Sequence, residues 1–207
     1  MKFYTETVPQ ATQSVLDKIK TISEIKTFYL SGGTALSLLL GHRESEDLDF
    51  FTKTSFQPQE LQQKLLQQGN LENLTIAEGT LNLFIDKVKL QFLYYPYNLL
   101  EELIPWSGIN LSSFVDIACT KLMTVSMRGS KKDFIDLYVI LQQMTLQELF
   151  SKLEKKYTGV GYNLPHILKS LVYFDDADSQ PMPRMHKNFS WEDVKEEIIK
   201  QVKTFTF

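Results

Sequence analysis

Two aspartates in the first quarter of the chain, Asp47 and Asp49, have a spacing that suits a divalent metal ion. Side chains two residues apart on a β-strand point to the same side, so the two carboxylates converge while Leu48 faces the core. Mg²⁺ takes oxygen ligands and commonly shares them with substrate phosphates. The pair therefore predicts a magnesium site. The alternative is an exposed Asp-x-Asp that only solvates a strand end, since such short patterns recur by chance.

Upstream of this pair, Gly32, Gly33 and Thr34 form a pattern that suits phosphate. Glycines accept unusual backbone dihedrals and let phosphate oxygens approach closely, and Thr34 opens a helix whose free N–H groups attract anions. An exposed turn of backbone amides followed by two carboxylates predicts nucleotide chemistry. The alternative is a tight strand-to-helix turn that binds no ligand.

The spacing of apolar residues predicts the elements that position these residues. The first half alternates helix and strand and then becomes a meander. Helices are predicted at Val8 to Ile25, Thr34 to Leu40 and Gln57 to Gln68, and strands at Phe28 to Ser31, Asp47 to Phe51, Leu74 to Glu78, Leu81 to Ile85 and Val88 to Tyr95. Asp86 and Lys87 are predicted to form a two-residue hairpin turn, although Lys is a poor substitute for the usual Gly.

The second half is predicted to be helical, with capping-box pairs Ser113/Asp116, Thr145/Glu148 and Ser190/Asp193 at three helix starts. The predicted helices are Phe114 to Met127, Lys131 to Gln143, Leu146 to Tyr157, Leu164 to Phe174 and Trp191 to Lys203. The fold class is therefore α+β: a mixed β-sheet flanked by helices, with a C-terminal helical part. We expect an α/β domain over residues 1–111 and a helical region over residues 112–207 packed against it.

Composition sets the broad class of the protein. With 43% apolar residues among 207 the chain can bury a core, and a formal charge of −3 gives no global basic field for nucleic acid. The single cysteine, Cys119, lies in an apolar helical pattern and is expected to be a buried, inert thiol. The absence of a signal peptide and of a membrane-spanning apolar run predicts a cytoplasmic protein without a membrane partner.

The segment GGTALSLLLGHRESEDLDFF resembles the AbiEii/AbiGii-type nucleotidyltransferase family, within the DNA polymerase β-like superfamily. That family is best known as toxins of abortive-infection and type IV toxin–antitoxin systems. The resemblance implies that Gly32, Gly33 and Thr34 hold nucleotide phosphates and that Asp47 and Asp49 bind Mg²⁺. Ser45 matches the serine that precedes the acidic pair in the family. Arg43 is open to two roles, contact with a phosphate or a cap at the surface.

A second segment, KLMTVSMRGSKKDFIDL at Lys121 to Leu137, follows the family's spacing of basic and acidic residues. The resemblance implies catalytic roles for Lys121 and Asp136 and nucleotide binding by Arg128 and Asp133. Lys121 and Arg128 are seven residues apart and share a helix face, so both can point cations at a triphosphate. The alternative is a solvated, salt-bridged helix face.

The expected activity is Mg²⁺-dependent transfer of a nucleotidyl group from a nucleoside triphosphate to an acceptor hydroxyl. RNA, including tRNA, and protein remain open as acceptors, and a basic strip of Arg128, Lys131, Lys132, Lys152, Lys155 and Lys156 is predicted for RNA. An antitoxin protein is a further expected partner. Gln91 occupies the place where the superfamily carries a third carboxylate. The alternative function is therefore a catalytically weak nucleotide- or RNA-binding module of the same fold.

Overall fold

The computed structural model describes residues 2–206, and these form two compact units. The first unit comprises the residues up to Tyr97 together with Glu102–Ser113. The second comprises Asn98–Glu101 and the residues from Phe114 onward. Within the described residues, no helix combines the length and apolar character that a membrane span requires.

The first unit is built on a mixed sheet. The strands that the structure describes are β1 Tyr29–Ser31, β2 Leu48–Thr52, β3 Leu71–Ala77, β4 Thr80–Ile85, β5 Val88–Tyr94, β6 Ile104–Trp106 and β7 Ile109–Leu111. They lie in the order β3-β4-β5-β2-β1-β7-β6. β2 runs antiparallel to β1 and parallel to β5, so the strand that carries Asp49 lies in the interior of the sheet. The predicted mixed sheet is confirmed.

Alternation along β2 and β5 puts large apolar side chains on one face of the sheet. Leu48, Phe50, Leu90 and Phe92 are fully buried, and the Phe50 and Phe92 rings stack with their centroids 5.2 Å apart. Asp49 and the residues beside it on neighbouring strands point to the other face. A one-residue slip would bury these polar groups, so the apolar core fixes the register of the polar face.

Three helices accompany the sheet: α1 Gln10–Ile19, α2 Gly32–Leu40 and α3 Pro58–Leu65. The prediction of one helix from Val8 to Ile25 is wrong in its bounds. Pro9 precedes the first helical residue, and after Lys20 the chain reaches an extended residue, Ile22, before a 3₁₀ turn at Ser23–Thr27. α2 ends at Gly41, which adopts a left-handed conformation with φ of 62°.

The predicted hairpin turn at Asp86 and Lys87 is confirmed. Both residues have positive φ, 49° and 69°, as a type I′ turn requires.

The strands β6 and β7 were not predicted, because each has only three residues and β6 contains Pro105. β7 pairs in parallel with β1 and so supports the strand that leads into Gly32.

The second unit is helical. Its helices are α4 Phe114–Arg128, α5 Lys131–Leu141, α6 Leu146–Lys156, α7 Leu164–Leu171, α8 Asp175–Asp178 and α9 Trp191–Thr204. The predicted capping boxes at Thr145/Glu148 and Ser190/Asp193 are both present. The expected burial of Cys119 is confirmed, and this burial raises the pKa of its thiol to about 12.

A buried ion pair holds this unit together near its start. Lys156 Nζ lies 2.6 Å from Asp116 Oδ1, and both side chains are almost wholly buried. The Asp116 carboxylate also accepts hydrogen bonds from the backbone N–H groups of Leu100 and Glu101, and Lys156 donates to the Asn98 carbonyl. These bonds tie the segment Asn98–Glu101 to α4 and α6 of the same unit.

Candidate active site

The carboxylate of Asp49 lies directly against Gly32. A Cβ atom on Gly32 would overlap Asp49 Oδ2, and Gly32 also has a φ of +65°, which L side chains rarely adopt. Ser31 and Asp49 are direct partners across β1 and β2, so the end of β1 brings the glycine turn to the carboxylate. The two short patterns predicted from the sequence therefore meet at one place in the first unit.

The rest of the turn is more enclosed than the sequence predicted. Gly33 and Thr34 are buried and Gly32 is half-buried, so the expectation of a fully exposed turn is wrong. A Cβ on Gly33 would lie 2.6 Å from Arg43 Nη2 and 3.0 Å from Ser45 Oγ. The cause is the loop before β2, which folds over Gly33. The glycines thus make room for protein groups as well as for a ligand.

Thr34 and Ser45 fix this loop to the start of α2. The Thr34 hydroxyl donates to the backbone carbonyl of Asp47, and it lies 2.9 Å from Ser45 Oγ. Arg43 is 3% exposed and donates to the Glu44 carbonyl at 2.8 Å. Its guanidinium therefore lies beside Gly33, within the candidate site, and a surface cap is excluded by its burial.

A row of polar residues crosses the sheet at Asp49. The strand register pairs Ser31 with Asp49, Asp49 with Gln91, and Gln91 with Asn82. Ser31 Oγ and Asn82 Oδ1 are buried, and neither atom has a hydrogen-bond partner in the part of the chain that the structure describes. The predicted position of Gln91 beside the acidic pair is confirmed. Ser31 was missed, although a hydroxyl directly before two glycines was a signal for it.

These residues fit a hard divalent cation. Asp47 and Asp49 supply carboxylate oxygens, and the buried Ser31 hydroxyl beside Asp49 lacks a protein partner. Among the described residues, no group of three or more His, Cys, Asp and Glu side chains is arranged to hold a metal ion. The donor set suits an ion that draws its remaining ligands from water and substrate phosphates, which is the usual behaviour of Mg²⁺.

The second predicted motif forms a buried cluster in the second unit. Lys121 Nζ lies 3.0 Å from Asp133 Oδ1 and 2.6 Å from Asp136 Oδ2. Arg128 donates to both oxygens of Asp133, through Nε at 2.8 Å and Nη2 at 3.1 Å. All four predicted residues are thus brought together where α4 meets α5. Lys121 is 5% exposed, and both aspartates are fully buried, so the alternative of a solvated helix face is wrong.

The electrostatics of this cluster favour the ionised form of the Asp133 carboxylate. Burial on its own would raise the pKa of Asp133, but the charges of Lys121 and Arg128 and hydrogen bonds from Arg128 and Ser130 lower it to about 2. The side chain of Arg128 is 56% exposed, unlike the fully buried Asp133 with which it pairs. Lys131 and Lys156 are buried, so the predicted basic strip is wrong at these two positions.

Comparison with known proteins gives the family. The model of the family "Nucleotidyl transferase AbiEii toxin, Type IV TA system" matches residues 15–76, which include the glycine turn and both aspartates. The segment from Lys121 to Leu137 lies outside the matched residues. An uncharacterized protein of Aquifex aeolicus (strain VF5), aq_aa25, is 34% identical over 201 residues, which cover 93% of this chain and 95% of the relative.

Solved structures of nucleotidyltransferases share the fold of this chain. MenT4, a nucleotidyltransferase toxin from Mycobacterium tuberculosis H37Rv, aligns with a TM-score of 0.60 at 15% identity, covering 95% of this chain and 82% of that one. A candidate nucleotidyltransferase from H. pylori aligns with a TM-score of 0.57 at 15% identity, covering 94% and 91%. At these identities the likeness concerns the fold. The family model, which matches the glycine turn and both aspartates, identifies this chain as a member of the AbiEii nucleotidyltransferase family.

Proposed function

We propose that this protein is a Mg²⁺-dependent nucleotidyltransferase that moves a nucleotidyl group from a nucleoside triphosphate to an acceptor hydroxyl. The observation that carries the proposal is the contact between the Asp49 carboxylate and Gly32. It unites a backbone turn suited to phosphate with the acidic pair suited to a metal ion. Membership of the AbiEii family supports the same reaction class.

In this proposal, different residues of the first unit bind the phosphates and the metal ion. Gly32 and the start of α2 receive the phosphates, with the Arg43 guanidinium beside Gly33 as a further cation. Asp47 and Asp49 hold Mg²⁺, which when bound offsets negative charge on the phosphates and orients them. Thr34 and Ser45 act mainly as positioning residues, because their hydroxyls fasten the loop that carries Asp47. Ser31, with its unpartnered hydroxyl, joins this set as a phosphate or water ligand.

The reaction itself needs no covalent intermediate with the protein. The acceptor hydroxyl oxygen attacks the α-phosphorus and forms a new P–O bond. The bond between the α-phosphorus and the bridging oxygen breaks, its electron pair leaves with pyrophosphate, and the hydroxyl proton passes to water. Positioning and charge stabilisation supply the rate enhancement in phosphoryl chemistry of this kind.

In this proposal the cluster of Lys121, Arg128, Asp133 and Asp136 binds phosphate and positions the groups that bind it. Arg128 offers an exposed guanidinium for phosphate, and Asp133 holds it in place. Lys121 forms ion pairs with Asp133 and Asp136 and so positions both carboxylates. A direct catalytic role of Lys121 and Asp136 stays a prediction from the family resemblance. We also propose that the protein acts as a toxin with an antitoxin partner. Its proposed location is the cytoplasm, where nucleoside triphosphates are available.

Labelled nucleotides test the reaction class. The purified chain is incubated with Mg²⁺, total RNA and each of the four triphosphates, labelled either at the α- or at the γ-phosphate. Nucleotidyl transfer predicts incorporation of α-label and none of γ-label. Incorporation of γ-label would instead show phosphoryl transfer, and the absence of both labels from RNA and from the protein fraction would refute the proposal. Separating RNA from protein products identifies the acceptor class.

A catalytically weak binding module is the second candidate, and Gln91 favours it. This neutral amide lies level with Asp49 on β5, where it ligates Mg²⁺ weakly and cannot accept a proton from the acceptor hydroxyl. Calorimetry with each triphosphate and Mg²⁺ separates the candidates, because the module predicts binding without label transfer. In that case Gln91→Glu is expected to tighten Mg²⁺ binding, which calorimetry with Mg²⁺ alone measures directly.

A further inference from the structure

A cavity of about 300 Å³ lies beside Asp47, the first residue of the acidic pair. Asp47 lines it, whereas Gly32 and Gly33 do not. Its other walls come from the first turn of α1 and from the hairpin between β4 and β5, including Phe84 and Lys89. Asp47 therefore belongs both to the candidate metal pair and to this cavity. The volume is at the lower end of the range for small-ligand sites, which suits one nucleotide.

The strand register explains why these side chains share the cavity. Phe84 on β4 and Lys89 on β5 are direct partners. Leu48 on β2 pairs with Leu90 on β5, so the preceding residues, Asp47 and Lys89, are level and lie on the same face. A carboxylate, an ammonium group and an aromatic ring thus occur in one row beside the row of Asp49.

The aromatic and basic groups of this row remain accessible for a ligand. Phe84 is half-buried, and its ring contacts no other aromatic ring among residues 2–206. Lys87 and Lys89 form no ion pair within the described chain. Asp86, which also lines the cavity, is neutralised by Lys18 at 2.7 Å, and the hydrogen bond from Lys18 lowers the pKa of its carboxyl.

The cavity has acidic and basic groups on neighbouring strands. Glu46 and Asp47 come from the residues directly before β2, and Lys87 and Lys89 come from the start of β5. A ligand that places a hydroxyl near the Asp47 carboxylate and a phosphate near the Lys89 ammonium group interacts favourably with both. A ring available for stacking suits a base, because base–aromatic stacking is favourable for every base. The N-terminal turn of α1 adds a weak positive potential for the phosphate.

We infer that this cavity is the acceptor subsite and binds the terminal nucleotide of a polynucleotide strand, with its base on Phe84, its phosphodiester at Lys89 and its hydroxyl directed to Asp47. The inference rests on the proposed function, since it assigns the acceptor for the same reaction. The residues that hold the triphosphate differ from those of the subsite, apart from Asp47. Substitutions at Phe84 and Lys89 therefore separate acceptor binding from triphosphate binding.

Fluorescence anisotropy of the full chain tests the subsite without any nucleotide present. The probe is a single-stranded RNA of about ten nucleotides with a 5′ fluorophore and a 3′ hydroxyl, with DNA of the same sequence as a second arm. Lys89→Gln is expected to weaken binding and to reduce the slope of log K against log salt by about 0.7, the value for one lost phosphate contact on a single strand. Its matched control is Lys53→Gln, an exposed lysine outside the cavity, which leaves the slope unchanged.

Phe84 requires variants that separate stacking from folding. Phe84→Leu is expected to weaken binding at least about fivefold at every salt concentration with the slope unchanged, while Phe84→Tyr, which keeps a ring, retains binding. Tyr94→Leu removes an exposed ring from the same sheet outside the cavity and serves as the control. Thermal unfolding of each variant shows that the fold is kept. A preference for RNA or for DNA identifies the strand that is bound, and either one supports the inference.

Three results would overturn the inference: no binding of either probe, equal binding by Phe84→Leu and Phe84→Tyr, or an unchanged salt slope for Lys89→Gln. Calorimetry with triphosphate and Mg²⁺ gives an independent check, because both subsite variants should keep the triphosphate affinity of the unmodified chain. Loss of triphosphate affinity would assign the cavity to the donor and refute the acceptor subsite. Failure of the proposed function appears separately, as an absence of label transfer by the unmodified chain.

Discussion

The close approach of Asp49 to Gly32 sets the chemistry available to this chain at the scale of single residues. A side chain at position 32 would occupy the space of the carboxylate, and the backbone there has a φ of +65°. Glycine is therefore required by both space and conformation. The carboxylate, in turn, lies next to backbone N–H groups at the start of α2, where negative phosphate and positive metal can both be accommodated.

Gly32→Ala tests this requirement. Left-handed backbone costs a residue with a Cβ about 1–2 kcal/mol, and the overlap with Asp49 adds to this cost, so we expect a loss of at least about 1 kcal/mol in the free energy of unfolding. Gly161→Ala is the control, because nothing lies within 4 Å of the added Cβ. Denaturant titration of both variants measures the difference. Equal stability of the two would contradict the crowded geometry at Gly32.

Only part of this residue-scale geometry was accessible from the sequence. The chemistry of Asp47, Asp49 and the glycines could be predicted because spacing along one strand or turn is local. The burial of Arg43 beside Gly33 could not, because it depends on how the loop before β2 folds back. The unpartnered hydroxyl of Ser31 likewise becomes apparent only when β1 is aligned with β2.

At the scale of elements, the pairing of strands and helices decides which side chains meet. The parallel alignment of β2 with β5 places Gln91 beside Asp49, and the packing of α4 on α5 places Lys121 and Arg128 around Asp133. Helix periodicity predicted the shared face of Lys121 and Arg128. It could not predict that the face is buried against two carboxylates, because that requires the neighbouring helix.

The depressed pKa of Asp133 predicts acid sensitivity of the second unit. Its folded pKa of about 2 lies below the ordinary 3.8, so this carboxylate contributes stability that is fully present above about pH 4 and is lost as the pH falls toward 2. The contribution at neutral pH is about 2 kcal/mol. The groups that face it are Lys121 and Arg128, with Ser130 as a donor and Asp136 as the second acceptor for Lys121.

Asp133→Asn is expected to unfold more readily at pH 7 and to lose the part of the pH dependence between about pH 4 and pH 2 that belongs to this group. Urea titrations across this range, followed by circular dichroism, measure both effects. Asp176→Asn, at an exposed aspartate of the same unit, should follow the unmodified chain. A pH profile of Asp133→Asn that parallels that of the unmodified chain would contradict the role of the carboxylate.

Two strands were beyond sequence reasoning for a different reason. β6 and β7 have three residues each, and β6 contains Pro105, so neither shows a strand pattern that can be distinguished from chance. β1 is equally short, but its β-prone aromatic run ends in two glycines and could be recognised. The long helices of the second unit were predictable, because their apolar periodicity extends over several turns and two of them begin with capping boxes.

At the scale of the whole molecule, the charge distribution limits non-specific contacts. The formal charge is −3, and two of the lysines predicted to form a basic strip, Lys131 and Lys156, are buried in contacts within the second unit. In the part of the chain that the structure describes, the predicted basic strip is therefore interrupted at these two positions. In the proposed acceptor subsite, the groups that would recognise a nucleic acid are instead local ones, Phe84 and Lys89.

This charge distribution predicts weak binding to duplex DNA of unrelated sequence. Non-specific affinity depends on the number of phosphates that cations neutralise, so we expect a Kd weaker than about 100 μM at about 0.15 M salt. Anisotropy with a fluorescent blunt-ended duplex measures it, and the single-stranded probe provides the comparison. Tight, strongly salt-dependent duplex binding would contradict the assignment of binding to local groups.

The overall class of the molecule, an α+β nucleotidyltransferase fold with a helical C-terminal part, could be predicted because strand and helix patterns separate along the chain. The residue motif at the glycine turn and acidic pair then identified the family, and in the structure Gly32 at the end of β1 lies against Asp49 on β2.

The most direct measurement is the rate of α-label transfer by Asp49→Asn compared with Asp17→Asn. Asp17 is exposed on α1 and lies outside the candidate site. Its substitution by Asn therefore removes the same charge as Asp49→Asn but leaves the Asp47–Asp49 pair intact. We predict that Asp49→Asn lowers the rate at least about a hundredfold while keeping the unfolding midpoint of the unmodified chain, and that Asp17→Asn keeps the full rate. Equal transfer by the two variants would contradict the assignment of catalysis to the Asp47–Asp49 pair.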